Sequence, residues 1–305
     1  MLENKPAFVA DAVDKTEHAI KECLDQRRYI LDNTEGLTEG LDLVSVERFI
    51  TEIGLPVSDY LVMTHAQWPG SPLAKWEQHQ SQEQPAFMGR CYPGIDISMV
   101  FRHERLEELN GPIVTQRFLA HELEHGSHLP ADFSPYDTGA KTIYAPLRWG
   151  KRILSASKGE FYGQFYSEAY AEWFAGQYLL DQGYANGLAP NQDEWLETEG
   201  GLAIRSLYTY LDDTHQNRRT RYINPDSDVA YRDSALAATS LDILIAKNPE
   251  LKEAVIDSHF GVRGNREFAR LINQMRKGLY MELFGLKYNE EDFKEGLQLV
   301  ANLTT

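Results

Sequence analysis

At 305 residues with a 42% hydrophobic fraction and 11% aromatics, the chain has material for a substantial core, as one large domain or two smaller ones. A formal net charge of −16 argues against general nucleic-acid binding, which needs basic patches to neutralise phosphate, and is compatible with a basic peptide substrate. No stretch is apolar for long enough to span a membrane, and Met1 to Pro6 carry no basic region leading into an apolar run, so a soluble, cytoplasmic chain without an ordinary export signal is expected. Two cysteines, Cys23 and Cys91, cannot build a disulfide framework and fit a reducing compartment.

Residues 1 to about 55 read as helical, with amphipathic spacing over Ala12–Leu24 and Val44–Ile53 and a turn-rich break at Asn33–Gly40. Tyr60–Thr64 and Ile95–Phe101 read as strands, the second alternating over its first half, with polar Gln78–Gln84 as a loop between them. Ile95–Phe101 reads equally as an edge strand, onto which an extended peptide would add as a further strand, or as a central, buried one.

The next segment carries the chemistry. His121-Glu122-Leu123-Glu124-His125 sets two imidazoles four apart with a carboxylate directly after the first, and Gly111-Pro112 and Gly126 suit the start and stop of a helix around them. At 3.6 residues per turn the imidazoles lie about 40° apart around the axis and roughly 6 Å apart along it, so both can grip one ion. Glu122 falls about 100° further round, where it reaches a water on that ion and serves as general base. Val114, Phe118, His121, Glu122 and His125 share one side of the wheel while Leu119, Ala120 and Leu123 occupy another, which predicts a helix buried between layers.

Catalytic zinc usually takes three protein ligands and leaves a position open. The motif does not resemble the metzincin version, which has a glycine three and a histidine six residues after the second histidine, where this chain has His128 and Ala131. Leu129 to Gly159 lacks strong periodicity, contains Pro130, Pro135, Gly139, Pro146 and Gly150, and reads as a long functional loop. Beyond it, Tyr166–Ala175 reads as a helix. With Glu168 at zero on its wheel, Glu172 falls at about 40°, among Phe161, Phe165, Ala175 and Leu179. Two carboxylates in an apolar stripe are costly unless partnered. A cation held by Glu168, with Glu172 accepting a hydrogen bond from one of the ligating imidazoles, satisfies both. From Asn191 onward helices are expected at Glu197–Leu211, Ala235–Ala246, Glu250–Ser258 and Arg266–Phe284.

The pair of motifs, HELEH and EAYAEWFA, resembles the gluzincin clan of zinc metallopeptidases and is most similar to the anthrax lethal factor and Pro-Pro endopeptidase group, over about fifteen residues of the chain. The resemblance implies an α+β, zincin-like fold with a small mixed sheet, two metal-binding helices and a mostly helical C-terminal lobe. Residues 1–55 would form an N-terminal helical segment, 56–190 the catalytic core and 191–305 the lobe. It implies His121, His125 and Glu168 as zinc ligands, Glu122 as the base, Glu172 as the carboxylate behind a ligand, and a peptide or protein as substrate. The chain departs from the group where a tyrosine is expected seven residues before the ligand glutamate, since Phe161 stands there. Tyr162 and Tyr166 are the nearest substitutes for stabilising the oxyanion, with His128 and the Tyr208, Tyr210 and His215 cluster further off. The alternatives are a zinc-binding scaffold without catalysis and an acidic interaction protein in which the motif is accidental.

Overall fold

The computed structural model describes residues 21, 24–76, 89–92, 95–102, 107–108, 111–127, 130–137, 142–149, 152–155, 160–183, 229–258 and 262–304. Most of the expected Ala12–Leu24 helix, the Gln78–Gln84 loop and the Glu197–Leu211 helix lie outside these residues.

Residues 24–32 are helical, and helix α1 (Leu43–Glu52) starts where the Asp42 side chain accepts a hydrogen bond from the Ser45 amide at 3.1 Å, an N-cap that satisfies one of the orphan donors of the first turn. Strands β1 (Asp59–Thr64), β2 (Gly89–Tyr92) and β3 (Ile97–Arg102) form a mixed sheet in the order β1-β3-β2, with β1 parallel and β2 antiparallel to β3. Alternation along the strands sorts their side chains. Leu61, Met63, Ile97, Met99 and Phe101 pack with Ile30, Trp68 and Leu73 on one face, while Val62 and Val100 join the main core on the other. Of the two readings of this strand, the central one holds. β3 is paired on both sides, and among the described residues the edges are β1 and β2, the latter with four residues, too short to show a period.

Helix α2 (Ile113–Gly126) follows, and then a second sheet stands where a long loop is expected. Strands β4 (Pro130–Asp137), β5 (Thr142–Trp149), β6 (Arg152–Ser155) and β7 (Glu160–Tyr162) form an antiparallel meander in sequence order. Its prolines hide it from a pattern reading, yet they are tolerated. Pro135 lies on an outer strand, and Pro146 lies where β5 pairs with β4 alone, since β6 reaches only Arg148 and Trp149.

Helix α3 (Gln164–Asp181) carries the second motif, and the chain resumes after residue 228 with α4 (Val229–Lys247), α5 (Leu251–Asp257), α6 (Val262–Met275), α7 (Leu279–Gly285) and α8 (Glu290–Ala301). The single helix expected over Arg266–Phe284 is two helices, parted next to Gly278 at φ 87°. The architecture is mixed and mostly helical with a small three-stranded sheet, consistent with α+β. One continuous core draws in Phe49 from α1, Phe118 and Leu123 from α2, Trp173 from α3, Leu241 from α4, Phe268 from α6 and Phe293 from α8. No described helix is long and apolar enough to cross a membrane.

Candidate metal centre

Every side chain of α2 from Ile113 to His125 is buried, as its two-sided apolar pattern predicts, so the helix runs between the sheet and the other helices. Ser98 of β3 donates from Oγ to the Glu122 carbonyl at 2.9 Å, and the Ser58 hydroxyl lies 3.2 Å from that of Ser98. Gly126 belongs to this seat and does not stop the helix by turning left-handed. It is the last helical residue, and a Cβ there would collide with the Ser58 hydroxyl and lie 2.8 Å from that of Ser98. Three small residues thus let the motif end of the helix close onto β1 and β3.

Across the interior, α3 presents its acidic face to α2. His121 Nε2 lies 3.7 Å from Glu168 Oε2, and His125 Nε2 lies 3.6 Å from Glu168 Oε1. One ligand atom from each of His121, His125 and Glu168 can be chosen so that all lie within 4.8 Å of one another, and all three residues are buried. A tetrahedral ion with bonds of about 2.0–2.1 Å holds neighbouring donors about 3.3 Å apart. Each imidazole lies within a few tenths of an ångström of that spacing from one of the two Glu168 oxygens, and the donors, two imidazoles and a carboxylate, are those of catalytic zinc sites. The residues fit a divalent cation.

Each ligand is also held from behind. His121 Nδ1 is 3.0 Å from Glu172 Oε2, so Glu172 takes the proton of the nitrogen that does not face the triad, as its place on the wheel predicts. The other oxygen of Glu172 pairs with the Arg117 guanidinium, and both side chains are fully buried. His125 Nδ1 lies 3.4 Å from the Ser167 hydroxyl and 3.4 Å from Glu124 Oε2. Glu168 Oε2 accepts a hydrogen bond from the Ser234 hydroxyl of α4 at 3.1 Å. Burial pushes the His121 imidazole down to about 4, outweighing the Glu168 carboxylate that pulls the other way, so the ring is neutral at pH 7 and in the form that ligates metal.

Glu122 is buried beside β2. A Cβ on Gly89 would lie 2.7 Å from both Cγ and Oε1 of Glu122, so the base candidate occupies space that only a glycine on the edge strand leaves open. The expected residues separate here. His121, His125, Glu168 and Glu172 come together, Glu122 is placed on the same helix as the two imidazoles and against Gly89, and Tyr166 does not join them. It lies about 160° round the helix from Glu168. Its ring is fully buried between Tyr170 and Tyr280 and its hydroxyl donates to the Tyr280 carbonyl at 3.2 Å. The expectation that it covers an oxyanion gives way to a role in the aromatic core. Tyr162 ends β7, half-buried and stacked on Phe284 with ring centroids 6.4 Å apart. His128, Tyr208, Tyr210 and His215 lie outside the described residues.

Arg117 and Ser234 are among the participants that pattern reading misses. Arg117 has a signal in hindsight, because Arg117, His121 and His125 recur every fourth residue and so share one helical face opposite Glu172 and Glu168. Ser234 has none. No protein-family model matches the chain, and no curated protein or solved structure matches it.

Proposed function

We propose that this chain is a zinc-dependent metallopeptidase of the zincin type, soluble and acting on peptide or protein substrates. The observation that carries the reading is the buried triad of His121, His125 and Glu168 with the Glu122 carboxylate on the same helix, held against a glycine of the edge strand. A structural ion needs four closed protein ligands, whereas the three found among the described residues, beside an acid, suit hydrolysis.

Bound in the triad, zinc supplies Lewis acidity toward a carbonyl oxygen and lowers the pKa of water. The protein's own residues do the rest. Glu122 accepts the proton of the attacking water and returns it to the leaving amine, which is the work of a general base that becomes a general acid. Glu172, fixed by Arg117, holds His121 with Nε2 toward the triad. Helix α2, seated on the sheet through Ser58, Ser98 and Gly126, keeps Glu122 and the two imidazoles on one rigid element. Of the two tyrosines nearest Glu168 in sequence, Tyr162 is the one left as a candidate for the developing negative charge. The displacement of Tyr166 into the core is the observation on the side of a catalytically silent zinc scaffold.

The test is hydrolysis of a randomised peptide library by the purified chain. Cleavage is expected to stop on treatment with a chelator and to return on adding zinc back. Cleavage unaffected by complete removal of metal would sink the proposal.

A further inference from the structure

Helix α4 comes from the far half of the chain, yet it reaches the metal centre. It packs along α3 and is pinned to it at two polar points, both buried: Asp242 Oδ1 accepts from Trp173 Nε1 at 2.9 Å, and Ser234, 66 residues from Glu168 in sequence, donates from Oγ to Glu168 Oε2 at 3.1 Å. Leu236, Ala237 and Ala238 are fully buried on the next turn, so the Ser234 hydroxyl sits in dry protein, where a hydrogen bond to a carboxylate is strong and its direction is kept.

That bond makes the two oxygens of Glu168 unequal. Each oxygen faces one imidazole, Oε1 at 3.6 Å from His125 Nε2 and Oε2 at 3.7 Å from His121 Nε2, and it is Oε2 that also accepts the hydrogen bond of the Ser234 hydroxyl. A carboxylate turning about its last bond can offer one oxygen or both to an ion. A catalytic site needs the one-oxygen mode, because the second oxygen would occupy the position left for water. The imidazoles are held by the same device, His121 through Glu172 and His125 through Ser167.

Building on the zinc reading above, we propose that Ser234 is a positioning residue: its hydroxyl fixes the rotation of the Glu168 carboxylate so that Oε1 is the oxygen presented to the metal. Helix α4 is then part of the metal centre.

The test compares wild type, Ser234→Ala and Ser240→Ala. Ser240 is a matched control, buried on the same helix with its hydroxyl bonded at 2.9 Å to the Leu236 carbonyl of its own turn. Zinc affinity is measured by competition with a chromophoric chelator, and the cobalt-substituted proteins are compared by visible absorption, which reports coordination number. Ser234→Ala is expected to bind zinc about tenfold or more weakly and to show a weaker cobalt band, as an added oxygen ligand produces, while Ser240→Ala matches wild type. A Ser234→Ala protein with zinc affinity within about twofold of wild type and the same cobalt spectrum would overturn the proposal. So would equal losses in both variants, which would mean packing of α4 alone is at work. A folded wild type that takes up neither metal overturns the zinc reading itself, and is told apart because it needs no variant.

Discussion

Replacing Glu122 by glutamine is expected to slow peptide hydrolysis by about 10²- to 10⁴-fold, the usual contribution of a general acid-base group, while one zinc per chain is retained. Glutamine keeps the shape that fits against Gly89 and removes only the ability to take a proton. The zinc ligands are other residues, His121 and His125 on the same helix and Glu168 on α3, so retention of metal separates loss of chemistry from loss of the site. Steady-state kinetics on any cleaved peptide, beside metal analysis of the same preparation, reads both. A variant that cleaves at the wild-type rate would remove Glu122 from the mechanism.

The largest effect on stability is expected at Arg117. Its guanidinium and the Glu172 carboxylate are both at zero exposure, so Arg117→Met leaves a carboxylate in dry protein without its counter-charge. Breaking a buried pair from one side costs about 3–5 kcal/mol, more than the pair itself contributes relative to apolar residues of the same volume. The double variant Arg117→Met with Glu172→Gln removes both charges and is expected to recover most of that loss. Denaturant unfolding of the metal-free proteins measures the cycle without the contribution of zinc binding. Additive losses in the double variant would show that the two side chains act independently. Glu122, Glu124, Glu168 and Glu172 are all buried on the two facing helices, which between them carry a single arginine or lysine, Arg117 on α2, so the charge balance of the helix pair also favours a bound cation.

The site was legible in the sequence where chemistry coincides with helical spacing. His121 with His125, and Glu168 with Glu172, repeat every fourth residue, and on a helix that alone places each pair on one face. The apolar residues between them showed that both helices are buried. Arg117 obeys the same spacing but passes for an ordinary charged residue until the facing carboxylate is known. Ser234 has no local signature because its meaning is a contact made 66 residues away. Tyr166 was misplaced because proximity in sequence to Glu168 says nothing about which side of the helix a ring occupies.

Strand order escaped for the same reason. That β3 is central depends on pairing with β1 and β2, and no periodicity within seven residues encodes which strands lie beside it. The β4–β7 meander was masked by prolines at positions where only one neighbouring strand is present.

The central claim is that His121, His125 and Glu168 hold zinc, and metal content tests it most directly. Mass spectrometry of the purified chain, loaded with zinc and freed of excess, is expected to give about one zinc per chain, with retention markedly weakened in Glu168→Ala. A folded wild type that retains no zinc, or a Glu168→Ala protein that holds it as tightly as wild type, would contradict the account.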